Sequence, residues 1–403
     1  KGGKNMEHNK KIGAEDLMNE AKAYLKNPEN LAMIQKALNY AYEHHANQFR
    51  RSGEPYIVHL WNVGYVLATL RVGPRTICAG LLHDVIEDCG ISKEQLTHDF
   101  DAEIGELVES VTKIGNIQFK DMKEYQAANH RKIFIAMAKD VRVILIKLVD
   151  RLHNMRTLQF MAEDKQKRIA NETLEVYAPI AHRLGISEIK NELEDLSFLY
   201  LDPDEYRRIA HLVEAKKSER DEMVTKMIED ISNMLSEQGI TFRIFGRSKH
   251  LYSIYRKMTI KHKRFEEILD LLAIRIVTAT ELNCYETLGY IHAKYRPIPG
   301  RLKDYIAMPK MNMYQSLHTT IVGDAGSIFE IQIRTEFMDS IAERGIAAHW
   351  RYKEGSKYDP YREQKEIEDK LTWFKEFTVL TGETADENPT EYMETLTKDI
   401  FEA

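Results

Sequence analysis

The chain has 403 residues, of which 43% are hydrophobic and 30% charged, with a formal net charge of -6 at neutral pH. That is ordinary for a soluble globular protein with material for about two to three domains, and it argues against a chain that coats nucleic acid through bulk charge. Cys78, Cys89 and Cys284 are too few and too scattered for a disulfide framework or a cysteine zinc site, and no apolar run approaches a membrane span.

A reducing, cytoplasmic setting without a membrane partner is therefore expected. Residues 1–5, KGGKN, precede Met6 and are expected to be an expression scar or a processed leader. From there to about residue 200 the pattern is helix after helix with short connections, as in Leu31 to Arg50 and Val141 to Leu158. Within "FRRSGEPYIVH", Gly53 and Pro55 predict a turn, flanked by Arg50 and Arg51 on one side and His59 on the other. In "ICAGLLHDVIEDCG" the apolar residues Ile77, Cys78, Leu81, Leu82, Val85 and Ile86 sweep one face of a predicted helix, and His83, Asp84, Glu87 and Asp88 the other. A solvated face accounts for such an arc, but Gly90 marks the helix end, so three carboxylates crowd the negative pole of its macrodipole, where a held cation reverses the penalty. Farther on, "KLVDRLHNMRTL" sets Asp150, Asn154 and Thr157 on one face of an otherwise apolar helix. His59, His83, Asp84 and Asp150 together offer the mixed nitrogen and oxygen set that suits a divalent transition ion, whereas Asp150 taken alone could pair with Lys147 or Arg151.

"LDPDEYRRIA" carries a strong helix start, with Asp202 as cap, Pro203 at the first helical position and Glu205 behind it, and is expected to mark the domain boundary. The long helix that follows shows Met223, Val224, Met227, Ile228, Ile231, Met234 and Leu235 on one face and stops at Gly239. The period then changes to two: "ITFRIFGR", "LLAIRIVTA", "SLHTTIVG" and "IFEIQIRT" predict strands. In the last, Ile331 and Ile333 oppose Glu330, Gln332 and Arg334, which implies a sheet with one polar face. From Thr241 to Arg264 there is no acid, only cations including Arg247, Lys249 and Lys257, which fits either an anion site or a solvated helix. Asp270 and Glu330 fit a magnesium platform for phosphoryl chemistry or, equally, solubility charges on edge strands. Between them, "RLKDYIAMPKMNMYQSLHTT" places Tyr314 among cations, as a base-stacking ring or as core. Residues 356–403 return to a charged helical pattern.

"RRSGEPYIVH", "LLHDVIED" and "LVDRLHNMRT" resemble the HD-type hydrolase domain of bifunctional Rel/SpoT-type (p)ppGpp synthetase/hydrolases. "GRSKHLYSIYRKM", "DLLAIRIV", "RLKDYIAMPK", "NMYQSLHTT", "EIQIRTEFM" and "GIAAHWRYKEG" resemble their synthetase domain. The resemblance implies an α+β multidomain chain: an all-α HD-type phosphohydrolase over residues 6–200, a nucleotidyltransferase-like α/β synthetase over 201–355 and a helical extension over 356–403. It implies Mn²⁺ on His59, His83, Asp84 and Asp150, with Glu87 and Asp88 preparing a water for attack on a 3′-diphosphate, and Arg50, Arg51, Asn154 and Thr157 binding the nucleotide. In the second half it implies Arg247, Lys249 and Lys257 on ATP, Arg275 among the nucleotide-binding residues, and Mg²⁺ on Asp270 and Glu330. There Glu330 takes the proton of the acceptor's 3′-hydroxyl, Tyr314 stacks on guanine, and Lys303, Lys310, Asn312 and His318 position GDP or GTP. Leu60 and Met313 depart from the family pattern, which carries Pro and Gly at those positions. The implied activities are hydrolysis of (p)ppGpp and its synthesis from ATP, with the two halves coupled; the regulatory C-terminal half, through which a ribosome or tRNA would act, is expected to be missing. The alternatives are a hydrolase whose synthetase half is impaired and a regulator that binds nucleotide or RNA through its basic run.

Overall fold

The computed structural model describes residues 11–115, 140–247, 249–269, 271–310 and 312–348. The readings of residues 1–5, of Asp270 and of the 356–403 extension lie outside the described residues. The chain divides into two compact units, one ending at Gln166 and rejoined at Ala347, the other running from Lys167 to Ile346. The boundary expected at 200/201 falls inside the second unit, because the helices of 178–201 pack with those that follow rather than trailing the first unit.

The first unit is helical: α1 (Ala14–Lys22), α2 (Pro28–His44), α3 (Ile57–Thr69), α4 (Pro74–Leu82), α5 (Val85–Cys89), α6 (Lys93–Asp99), α7 (Ala102–Gly115) and α8 (Val141–Arg156). Every residue of α4 except Arg75 is buried, against α2, α3, α7 and α8. Its contact with α3 is close because Gly80 has no side chain: a Cβ there would fall 2.3 Å from a Leu67 methyl. Leu60 is fully buried in α3. The helix expected to reach Arg50 ends instead at His44, since residues 48–56 fold back as a turn in which Phe49 bridges Pro55 and Glu54 O accepts from Arg50 N at 2.9 Å.

The single helix expected across residues 77–89 is two, α4 and α5, broken at His83 and Asp84. His83 Nδ1 donates to the Gly80 carbonyl at 2.7 Å, so a side chain competes for an acceptor that continued helix would give to a backbone N–H. The break turns His83 and Asp84 inward and leaves Glu87 and Asp88 exposed; Gly90 ends α5 at φ 69°.

In the second unit, α9 (Glu163–Glu172) enters from the boundary and passes through a π turn at Thr173–Tyr177 into α10 (Ala178–Arg183), where Pro179 cannot supply a helical N–H. Then come α11 (Ser187–Leu201), α12 (Pro203–Ala215) and α13 (Lys217–Glu237), with Asp202 capping α12 by accepting from Glu205 N at 3.2 Å. The strands are β1 (Phe242–Gly246), β2 (Leu271–Thr278), β3 (Arg296–Pro297), β4 (Lys303–Asp304), β5 (Leu317–Val322) and β6 (Ile328–Thr335), interleaved with α14 (Leu251–Thr259), α15 (Phe265–Leu269), α16 (Glu281–Lys294) and α17 (Glu336–Arg344). The mixed sheet has the order β1-β2-β6-β5-β3, with β4 also paired to β5; β2 and β6 are parallel and the other pairs antiparallel. Ile274, Ile276, Ile331 and Ile333 bury one face against Met227, Ile231 and Leu235 of α13 and Cys284 and Ile291 of α16. The opposite face carries Arg275, Glu330, Gln332, Arg334 and His318, which the register aligns across β2, β6 and β5.

Candidate functional site

The first unit brings the expected ligands together. His59 of α3 and His83 at the α4–α5 break are buried, and Asp150 of α8 lies with them so that one ligand atom from each falls within 4.8 Å of the others. Asp84 joins them, with its Oδ2 2.9 Å from His83 Nε2 and 3.9 Å from His59 Nε2; Asp150 Oδ1 lies 3.3 Å from His59 Nε2 and 3.7 Å from His83 Nε2. The Gly80 carbonyl fixes the His83 proton on Nδ1, so neutral His83 turns the lone pair of its buried Nε2 towards a carboxylate oxygen 2.9 Å away. Lone pairs so arranged demand a proton or a metal ion between them.

The electrostatics agree. Burial pulls His83 down, but the charges of Asp84 and Asp150 overcome it and lift the imidazole to about 10, so a proton substitutes for a metal. Burial opposes ionisation of Asp150, yet Lys147, 3.4 Å from its Oδ2, and the two histidines hold it well below the usual range. Asp84 is also held down, by His83 against the effect of burial, and Tyr56 Oη donates to its Oδ2 at 2.6 Å. Glu87 and Asp88 move the other way: partial burial, then the charge of Asp84, raises both above their ordinary values. Arg50 is already held over the site, donating to Asn154 Oδ1 at 2.9 Å and Thr157 Oγ1 at 3.0 Å, while Asn154 Nδ2 donates to Asp150 Oδ1 at 2.7 Å. Arg51 is exposed beside them in sequence. Sequence reasoning missed Tyr56 and His153, whose only sequence signal is adjacency to motif residues; His153 Nδ1 lies 2.8 Å from His59 Nδ1 and 3.0 Å from Arg50 Nη1.

In the second unit, Glu330 and His318 lie on the polar face of the sheet. Glu330 lies on β6, an interior strand between β2 and β5, which removes the edge-strand reading of its charge. Arg247 leaves β1 with its N–H bonded to Ala273 O at 2.9 Å, Lys249 donates to the Ile268 carbonyl, and Lys257 projects from α14, whose N-terminus is anchored by Asp195 Oδ1 accepting from Tyr252 N at 2.9 Å. Burial, then the charges of Arg220 and Lys257, brings Lys249 down to about 7; Lys257 is lowered by burial, with Glu330 opposing. Glu330 and Arg247 both act on Lys249, Lys257 and His318, so these side chains share one field. Tyr314 Oη and His318 Nε2 are 2.7 Å apart, with Lys310 5.9 Å and the guanidinium of buried Arg334 5.7 Å from the Tyr314 ring centre. Burial keeps His318 down at about 4, so its neutral ring accepts from the tyrosine hydroxyl. Asn312 Oδ1 accepts from Tyr314 N at 3.3 Å, and Lys303 lies opposite His318 in the β4–β5 register. Arg275 is on the same face but engages Glu343 and Asp339 of α17. Arg220 of α13 is a cation that sequence reading passed over.

Two family models match the chain in succession. The HD domain family matches residues 37–187, and the region found in RelA / SpoT proteins matches residues 246–357. A guanosine-3′,5′-bis(diphosphate) 3′-pyrophosphohydrolase of Spiroplasma citri is 48% identical over 90% of this chain and 49% of its own length. The bifunctional (p)ppGpp synthase/hydrolase SpoT of Escherichia coli K12 is 50% identical over 81% of this chain and 46% of its own, and a GTP pyrophosphokinase of Myxococcus xanthus is 46% identical over 92% and 49%. The chain thus spans about half the length of the curated relatives it matches. A helical HD unit with a histidine and aspartate cluster, followed by a mixed sheet bearing the RelA/SpoT region, makes this chain a member of the RelA/SpoT family.

Proposed function

We propose that the chain is a bifunctional alarmone enzyme, whose helical unit hydrolyses (p)ppGpp to GDP or GTP and pyrophosphate and whose α/β unit makes (p)ppGpp from ATP and GDP or GTP. The observation that carries this reading is the convergence of His59, His83, Asp84 and Asp150 on one small volume, with the buried His83 Nε2 2.9 Å from a carboxylate oxygen of Asp84. These residues suit Mn²⁺, which when bound supplies Lewis-acid polarisation of water and phosphoryl oxygen. Glu87 and Asp88, exposed one turn beyond the ligands and raised in pKa, accept the water's proton; a carboxylate with an elevated pKa is the better base near neutrality. Arg50, Arg51, Asn154 and Thr157 orient the guanosine nucleotide, with arginine forking onto phosphate or stacking on the base.

In the α/β unit, Arg247, Lys249 and Lys257 hold ATP, Arg275 belongs to the nucleotide-binding set through the polar face of β2, and Glu330 with Asp270 holds Mg²⁺. Tyr314 stacks on the guanine, and Lys303, Lys310, Asn312 and His318 set the acceptor so that its 3′-oxygen bonds to the β-phosphorus of ATP as the bond from that phosphorus to the α-phosphate oxygen breaks and AMP leaves. Glu330 takes the hydroxyl proton. The shared field of Glu330, Arg247, Lys249, Lys257 and His318 supports this assignment. The setting is cytoplasmic; among the described residues no helix is long and apolar enough to cross a membrane. The test is a nucleotide assay with ppGpp and Mn²⁺, or with ATP, GDP and Mg²⁺. Breakdown in the first mixture and formation in the second support the proposal; breakdown without formation would leave the α/β unit a regulatory module.

A further inference from the structure

His153 lies on α8, 7% exposed, between a metal-site histidine and an arginine, and nothing in the proposed chemistry uses it. Its Nδ1 faces two groups at once: Arg50 Nη1 at 3.0 Å and His59 Nδ1 at 2.8 Å. A guanidinium can only donate, so His153 Nδ1 must carry a lone pair. Two lone pairs cannot face each other at 2.8 Å, so the His59 nitrogen brings the proton and shares that single lone pair with the guanidinium. With the proton on Nδ1, His59 keeps its lone pair on Nε2, the atom 3.3 Å from Asp150 Oδ1 and 3.9 Å from Asp84 Oδ2. The other tautomer would point an N–H into the ligand cluster and block a metal ion.

We infer that His153 is a positioning residue, held by Arg50 as an obligate acceptor, that locks His59 in its metal-ligating tautomer. His83 has the equivalent lock in the Gly80 carbonyl, so each histidine of the site has its Nδ1 proton fixed by a separate acceptor, one from backbone and one from a side chain. Because Arg50 also bonds Asn154, and Asn154 bonds Asp150, the same arginine is one residue removed from two of the four ligands.

This inference rests on the reading of His59, His83, Asp84 and Asp150 as a metal site, and its test separates the two. Mn²⁺ affinity is measured on the full chain without nucleotide, by the loss of the free-ion electron paramagnetic resonance signal, for the unmodified protein and for His153→Asn, His153→Gln and His83→Ala. Asparagine places a carbonyl oxygen where His153 Nδ1 lies, and glutamine carries it one methylene farther. His153→Asn is expected to bind Mn²⁺ within about threefold of the unmodified protein, and His153→Gln to bind about 10- to 100-fold more weakly. Thermal unfolding of each variant shows whether both are folded. Equal affinities for the Asn and Gln variants, whether both retained or both lost, would overturn the inference while leaving the metal site in place, provided His83→Ala loses binding. If the unmodified protein binds no Mn²⁺, or His83→Ala binds it undiminished, the metal site itself falls and the inference with it.

Discussion

Met313 has φ +65°, in the left-handed region where a non-glycine residue stores strain, and it stands immediately before Tyr314. The backbone therefore keeps a glycine-like conformation at a position where the sequence has methionine. Met313→Gly is expected to leave stability unchanged or raise it by up to about 1 kcal/mol, because strain relief opposes the greater freedom of the unfolded chain. Met313→Val, branched at Cβ, is expected to lower it by about 1–2 kcal/mol, and urea unfolding of the two variants checks the order. His83 provides a second test at this scale. Its folded pKa, about 10, lies above the ordinary 6.5, so the stability it contributes is fully present below pH 6.5 and is lost as pH rises towards 10. Metal-free protein is expected to melt at a falling temperature across that window. Excess Mn²⁺, which replaces the proton, should flatten the dependence, and equal slopes with and without the ion would contradict this account of the site.

At the scale of elements, much was legible because the signals are local. The four strands read from period-two alternation lie at β1, β2, β5 and β6, and Asp202 and Pro203 start a helix as their cap chemistry predicts. The break after α4 was not legible: it depends on a hydrogen bond from His83 to Gly80 that apolar periodicity does not encode, and the ligand geometry depends on that break. The short strands β3 and β4 also escaped, since two-residue pairings carry no alternation. The helix start at Asp202 and Pro203 lies inside the second compact unit for a related reason. A strong cap announces a helix, not a domain, and α11 packs on α12, α14 and α17. One junction there is sharply constrained: Gly345, at φ 53°, ends α17 where a Cβ would fall 1.9 Å from Leu184 O, and Ile346 N donates to that same carbonyl at 2.8 Å. Gly345→Ala should cost about 3 kcal/mol or more, since both the φ value and backbone contact forbid a side chain. A loss under about 1 kcal/mol by urea unfolding would show that the junction yields easily.

For the whole molecule, the opposed activities proposed for the two units would consume ATP to no end if both ran together. Coupling is therefore expected, such that ligands of the α/β unit disfavour the active geometry of the helical one. A saturating nonhydrolysable ATP analogue with GDP should slow ppGpp hydrolysis, and equal rates with and without it would remove the coupling. The division of labour itself is tested most directly by assaying His83→Ala and Glu330→Gln in parallel, each with ppGpp and Mn²⁺ and with ATP, GDP and Mg²⁺. His83→Ala is expected to lose at least about 100-fold in ppGpp breakdown while still forming ppGpp, and Glu330→Gln the reverse. Loss of both activities in either variant, or of neither in both, would contradict two separate sites.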